Sequence, residues 1–277
     1  MADTLFTVAG QIVLVSGGSR GIGRAIAFGF AQRGARVIIA SRDAEQLKKS
    51  AEELTAEAAA ADQTGGSTPL VPVEYVVCDV AKPADIAKRV PELLERYGRI
   101  DTLVNVAGVN RRKPALELTE DDYDFVLDIN LKGAFLLSQA IGRHMVERQG
   151  GVQINIASLN TDRPLKNVLP YAVSKAGISH MTKALAVEWG PSGVRVNAVA
   201  PGFILTDLTR KLWSLPTMQE WGMANTPQRR LGQPDDMIGA TLFLASPASA
   251  FMTGQTLYVD GGFTAGWNWP IPQGGGQ

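Results

Sequence analysis

Ser16-Gly17-Gly18-Ser19-Arg20-Gly21-Ile22-Gly23 follows directly on the apolar run Gln11-Ile12-Val13-Leu14-Val15. The run is short and rich in β-branched residues, which predicts a buried strand. Ile22, Ile26 and Phe30 then recur at helical spacing, so a helix opens at the glycines. Glycines between the two let the chain turn tightly and bring backbone N–H groups to a helix start, where a pyrophosphate is stabilised. The spacing is Gly-x-x-x-Gly-x-Gly, not the Gly-x-Gly-x-x-Gly of other dinucleotide folds. A glycine loop alone only weakly favours phosphate over a plain turn, and it is the order strand, loop, helix that strengthens the phosphate reading.

The same alternation continues along the chain. Strands are expected at 11–15, 36–40, 72–77, 102–105, 151–156, 194–199 and 256–259, separated by segments of helical period such as Ile86, Val90, Leu93 and Leu94, or Val126, Ile129, Leu136 and Leu137. Alternating strands and helices with right-handed crossovers give a single-domain α/β Rossmann fold over 1–277, with a doubly wound seven-stranded parallel sheet and helices on both faces. Two regions stand apart. Residues 206–234 carry Trp213 and Trp221 but no strand, and read as a helical flap over the site or as an ordinary surface helix pair. Residues 264–277, with Trp267, Trp269 and three consecutive glycines, read as a C-terminal arm.

Bulk properties narrow the function classes. The 277 residues, 45% of them apolar, suffice for one sizeable core. Lys+Arg and Asp+Glu number 27 each, so no basic surplus points to nucleic acid or an anionic membrane, and a small-molecule partner is expected. A lone Cys78 excludes an internal disulfide, and with only His144 and His180 beside it no metal site is expected. Neither a leader nor a membrane-spanning run is read from the sequence, which predicts a cytoplasmic protein.

The end of the second strand decides between NAD and NADP, because a carboxylate there would hold the ribose 2′-hydroxyl. The run is Ala40-Ser41-Arg42, with no carboxylate at the strand end. Arg42, together with Arg20 of the glycine loop, can fork onto a 2′-phosphate, so NADP(H) is the expected cofactor. The alternatives are that both arginines are merely solvated, or that Asp43 reverses the preference. Asp79 and Val80 follow the third strand, where a carboxylate can accept from an adenine amino group or cap a helix. Asn105, Ala107 and Gly108 follow the fourth, where small residues admit a ribose.

Tyr171 and Lys175 lie four apart on one helical face, and Ser158 ends the fifth strand at the sheet edge where ligands bind. A carbonyl accepting hydride develops negative charge on oxygen, and needs an acid and a second donor. A phenol suits this near neutrality when a cation lowers its pKa, which Lys175 is placed to do.

Taken together, these residues resemble the short-chain dehydrogenase/reductase family over essentially the whole chain. The matching positions are Gly17 to Gly23, Asp79, Asn105-Val106-Ala107-Gly108, Ser158, Tyr171-Ala172-Val173-Ser174-Lys175 and Arg195 to Gly202. The resemblance implies Tyr171 as acid/base, Ser158 as carbonyl binder, and Lys175 as pKa modulator and ribose ligand. It implies that Asn130 holds a water beside the lysine, and that Pro201, Gly202, Ile204 and Thr206 orient the nicotinamide amide. It also implies a homotetramer. Two departures stand out: Ser16 replaces the usual threonine, and Val106 a usual asparagine.

Gly108-Val109-Asn110-Arg111-Arg112-Lys113-Pro114 and Leu118 to Tyr123 resemble the gluconate 5-dehydrogenase branch, which acts on sugar acids and polyols. Arg111 in particular, or Arg112 or Lys113, would suit a carboxylate, unless the three lie on a solvated rim. Asn160 is placed to bond a polyol, and Trp213 to wall an apolar pocket. An NADP-dependent reductase of a keto sugar, sugar acid or polyol is thus the expected function. A 3-oxoacyl-thioester or broad carbonyl reductase is the alternative, and a non-catalytic NADP-binding scaffold a third.

Overall fold

The computed structural model describes residues 4–62 and 71–266. Seven parallel strands form one sheet: β1 (Ile12–Ser16), β2 (Arg36–Ser41), β3 (Glu74–Val77), β4 (Thr102–Asn105), β5 (Gly151–Ile156), β6 (Val194–Pro201) and β7 (Thr256–Val259). Their order is β3-β2-β1-β4-β5-β6-β7, so the chain winds outward one way to β3 and then the other way from β4. The reversal between β1 and β4 opens a crevice at the carboxyl edge, where ligands of such sheets bind.

Because successive strand residues face opposite sides, each strand feeds two cores. Val13, Val15, Val37 and Ile39 pack with Ile26 and Phe30 of α1 (Gly21–Ala31), Leu47 and Leu54 of α2 (Ala44–Asp62), and Leu244 of a helix at Ile238–Ala245. Ile12, Leu14 and Ile38 pack instead with Ile86, Val90 and Leu93 of α3 (Pro83–Tyr97) and with Leu137 and Ile141 further on. Each such side chain contributes roughly 1.5–3 kcal/mol by leaving water. Two covered faces explain why the strands read as continuous apolar runs.

On the second face, α4 (Glu120–Leu127) runs into a π-helical turn, Asp128–Gly133, and on into α5 (Ala134–Glu147). The whole stretch Glu120–Glu147 is long and apolar enough by composition to cross a membrane, contrary to the expectation from sequence. Half of its most apolar window is buried inside the fold, which accounts for the apolarity. Beside it lies α6 (Leu169–Trp189). The segment read as a flap holds two short helices, α7 (Asp207–Trp213) and α8 (Pro216–Asn225), and Ile204 bridges Gly232 to close its base. The helix at Ile238–Ala245 is α9. Trp267, Trp269 and most of the expected arm lie outside the described residues; of its start, Thr264 is tied to Asp260 through both backbone and hydroxyl.

Between β4 and β5 the sheet carries buried amides. Asn105 Nδ2 donates to Asn155 Oδ1 and Ser138 Oγ, each at 2.9 Å, and Asn155 Nδ2 donates to Thr182 Oγ1 at 2.9 Å. These bonds tie β4, β5, α5 and α6 together below the crevice. Removing one partner leaves buried donors unmet, so Asn155→Ala is expected to lower stability by about 2 kcal/mol, read as a shifted urea midpoint with unchanged slope.

Candidate active site

A cleft of about 470 Å³ opens at the carboxyl edge. Its floor is the glycine loop. Gly17 has φ +74, and a Cβ there would lie 2.7 Å from Ala107 N; one on Gly23 would lie 2.2 Å from Gly17 O. The backbone therefore closes on itself with no room for side chains. Arg20, the residue before α1, makes no side-chain cap, and the first turn holds no acidic residue. The helix N-terminus is thus left to an external anion, and a pyrophosphate fits the cradle.

Most of the expected cofactor residues line this cleft: Gly17, Ser19, Arg20, Gly21, Ile22 and Gly23 on the floor, and Ser41, Arg42, Asp79 and Val80 at one end. Ala107, Gly108, Pro201, Gly202, Ile204 and Thr206 line it further along. Neither Arg20 nor Arg42 makes an ion pair among the described residues. β2 ends one residue later than expected, at Ser41, and Asp43 also lines the cleft, its Oδ1 accepting the Gln46 N–H at the start of α2. Asp79 Oδ1 accepts the Ala81 N–H at 3.1 Å. Asn105 is the exception: its Nδ2 donates to Ser138 and Asn155, and the residue does not line the cleft.

At the other end stand Ser158, Tyr171 and Lys175. Ser158 Oγ accepts from Asn160 N at 3.1 Å and from Asn160 Nδ2 at 3.3 Å. With both lone pairs taken, its O–H is free to donate, and the Tyr171 hydroxyl is its partner here. Asn160, expected to bond a polyol, does not line the cleft. It is buried behind Ser158, its own Oδ1 accepting from Leu165 N.

Lys175 is 4% exposed and donates to the last carbonyl of β5, Ile156 O, at 2.6 Å. Burial pulls its ammonium down to about 8. Its Nζ lies 5.6 Å from the centre of the Tyr171 ring. The expected lowering of the Tyr171 pKa by Lys175 is not found: burial raises that pKa, opposed by the Ser158 hydrogen bond and by the charge of Arg112. In the ligand-free protein the tyrosine is thus a phenol at neutral pH, the form that gives up a proton.

Asn130 is 1% exposed, within the π-helical turn. Its Oδ1 accepts from Val109 N at 2.8 Å, and its Nδ2 donates to Val109 O at 2.9 Å and to Ser174 Oγ at 3.0 Å. Both amide hydrogens and one lone pair of Oδ1 are used, so the side chain clamps the loop after β4 to α6. Ser174 completes the clamp, a part that sequence reading missed although it precedes Lys175.

Two further residues expected at the substrate do not line the cleft. Arg111 Nε lies 3.8 Å from Asp122 Oδ1 and its guanidinium stacks on Phe125, outside the cleft. Trp213 is 3% exposed and packs edge-on to Phe203, 5.1 Å between ring centres, beneath α8 rather than along the cleft. Arg112, in contrast, makes no ion pair among the described residues, and its charge reaches the Tyr171 hydroxyl.

A family model described as enoyl-(acyl carrier protein) reductase matches residues 17–264. The chain belongs to the short-chain dehydrogenase/reductase family. The gluconate 5-dehydrogenase of Gluconobacter oxydans is 35% identical over 260 residues, 94% of this chain and 97% of that one. The D-threitol dehydrogenase of Mycolicibacterium smegmatis is 40% identical over 262 residues, covering 95% and 96% of the two chains. Among solved structures, a gluconate 5-dehydrogenase from Burkholderia cenocepacia in complex with NADP and tartrate superimposes with a TM-score of 0.88, at 36% identity over 96% of this chain and all of that one. This short-chain dehydrogenase/reductase is accordingly an oxidoreductase of CH–OH and C=O groups, on the gluconate 5-dehydrogenase-like branch.

The buried lysine has a consequence for stability. Between pH 8 and the ordinary lysine value of 10.5, the unfolded chain holds the Lys175 proton and the folded one does not. Stability therefore rises with pH across that window. The stability of the wild type relative to Lys175→Met, measured by denaturant titration without ligand, is expected to climb from pH 8 to 10; a flat difference contradicts the depressed ammonium.

Proposed function

We propose that this chain is an NADP(H)-dependent oxidoreductase interconverting a secondary alcohol and a ketone in a sugar acid or related hydroxy acid. One observation carries the reading: Arg20 and Arg42 line the cleft beside the glycine loop with no ion pair among the described residues, and Ser158, Tyr171 and Lys175 line the same cleft. The two arginines suit a 2′-phosphate. The NADP and tartrate in the Burkholderia enzyme are a phosphate-bearing nucleotide and a dicarboxylate.

The residues divide the work. The N-terminus of α1 and the close-set glycines hold the pyrophosphate, Asp79 keeps one carboxylate oxygen for the adenine, and Lys175 is placed for the ribose. NADPH when bound supplies the hydride. Ser158, its lone pairs filled by Asn160, donates to the substrate oxygen, and Tyr171 gives that oxygen its proton. A carbonyl, a hydride and a proton thus become one carbinol. The protonated tyrosine at neutral pH favours reduction; oxidation requires the proton to leave first. Asn130 keeps the loop after β4 against α6, so substrate oxygen and acid stay in reach. The segment 206–234 acts as the substrate-covering flap, with Thr206, Asp207 and Leu208 along the cleft edge.

A 3-oxoacyl-thioester or broad ketone reductase on the same residues has one feature in its favour, the half-exposed Leu208 at the cleft. A homotetramer is also part of this reading. Leu169, Val173 and Val187 are exposed on α6, and Phe135 on α5, which suits pairing of these helices between subunits.

NADPH oxidation followed by absorbance with 5-ketogluconate, L-sorbose, an acetoacetyl thioester and cyclohexanone separates the readings. Turnover of 5-ketogluconate above the others is expected; turnover of the thioester alone overturns the substrate assignment. Tyr171→Phe is expected to reduce kcat by about a thousandfold with nucleotide binding retained, which a scaffold would not do. Replacing Arg20 and Arg42 by alanine should lower the preference for NADPH over NADH by roughly ten- to a hundredfold, read from the two kcat/KM values.

A further inference from the structure

Ser50 lies in α2 with none of its surface exposed, and its hydroxyl does not do what a helical serine usually does. Such a side chain ordinarily bonds back to the carbonyl one turn earlier. Ser50 Oγ instead donates across to the glycine loop, to Ser19 O at 2.6 Å. Gln46, one turn before it and lining the cleft, joins the same contact: its Nε2 donates to Ser50 Oγ at 3.2 Å and reaches Ser19 O at 3.5 Å. Glu53 and Glu57 follow at helical spacing and pair with Arg24 of α1. One face of α2 therefore addresses the glycine loop and the helix that it opens.

This contact joins two pieces of the fold that each carry an unpaired arginine of the cleft. Arg42 directly follows β2, and α2 starts two residues later, its first turn tied to that junction by Asp43 N on Ser41 Oγ at 3.4 Å and by Gln46 N on Asp43 Oδ1 at 3.0 Å. Arg42 and α2 thus form one unit. Arg20 belongs to the glycine loop, which Gly17 N and Gly18 N fasten to Ala40 O of β2. Past Gly18, Ser50 and Gln46 hold the loop at the residue before Arg20. The Ser19–Arg20 peptide is trans, so its N–H points opposite to the anchored carbonyl. Fixing Ser19 O against α2 fixes the peptide plane from which Arg20 leaves.

We propose that Ser50 is a positioning residue for cofactor choice: by anchoring Ser19 O to α2 it sets the reach of Arg20 relative to Arg42, so that both guanidinium groups meet one 2′-phosphate. The proposal rests on the assignment of these two arginines to that phosphate given above. Two cations grip one anion best when neither has to be ordered on binding. The pyrophosphate does not depend on this bond, because its cradle is the start of α1 and the separate tie of Gly17 and Gly18 to Ala40.

Dissociation constants of NADPH and NADH, read from nicotinamide fluorescence as each is titrated into the substrate-free protein, test this. Ser50→Ala removes the donor and little volume. It is expected to raise the Kd of NADPH about tenfold and to leave that of NADH within about twofold of wild type, and Ser50→Thr, which keeps the hydroxyl, should recover most of the loss. In an Arg20→Ala background, Ser50→Ala should add nothing further. Equal weakening of both nucleotides, or an undiminished loss on NADPH once Arg20 is gone, overturns the positioning role. If Arg20→Ala weakens NADPH selectively and Ser50→Ala does not, the positioning role alone fails. If neither Arg20→Ala nor Arg42→Ala shifts the preference toward NADH, the phosphate assignment fails and the proposal with it. Should Ser50→Ala not fold, Ser50→Cys, a weaker donor of similar shape, is expected to show the same selective loss to a smaller degree.

Discussion

Three hydrogen bonds from one buried amide hold the working end of this protein together. Asn130 accepts from and donates to the backbone of Val109 and donates to Ser174, so the loop leaving β4 cannot move independently of α6. The loop carries the cations, and the helix carries Tyr171 and Lys175. That such an amide sits in a π-helical turn is physically apt, since the widened turn redirects one side chain inward without breaking the α4–α5 stretch. Both of its amide hydrogens are used, which fixes the side chain's orientation.

Around that clamp the site is built by filling hydrogen-bonding capacity until one proton is left where it is needed. Asn160 occupies the lone pairs of Ser158, leaving a donor; Ile156 O holds Lys175 in place; burial keeps Tyr171 protonated. The same economy governs charge. Asp43 and Asp122 are each tied to helix starts, and Arg20, Arg42 and Arg112 carry no ion pair among the described residues. Fixed donors, and unpaired cations such as Arg20 and Arg42 that line the cleft, stabilise charge without reorganisation.

How much of this was legible in the sequence depended on whether the signal was local. The seven strands appear where β-branched runs place them, with ends shifted by one or two residues at β1, β2, β3 and β6, and the two-faced burial of each strand follows from its uninterrupted apolarity. The glycine loop was readable because a close backbone approach admits no Cβ. What failed were the residues whose partners lie far away in sequence. Asn105 looked like a ribose neighbour but is consumed by Ser138 and Asn155; Asn160 looked like a polyol ligand but serves Ser158. Trp213 packs on Phe203, and Arg111 and Lys113 rather than Arg112 are the cations taken up by Asp122. Composition cannot tell which of three neighbouring cations is neutralised. The run Thr119-Glu120-Asp121-Asp122 did carry a capping signal that could have located Asp122.

A crystal structure of the protein soaked with NADPH tests the central claim most directly. The account predicts the dinucleotide extended from Arg42 across Gly17 to Gly23, its nicotinamide ending beside Ser158 and Tyr171, with Lys175 Nζ turned from Ile156 O to the ribose. Density for the nucleotide outside this cleft, or a nicotinamide that stops short of the tyrosine hydroxyl, would contradict it.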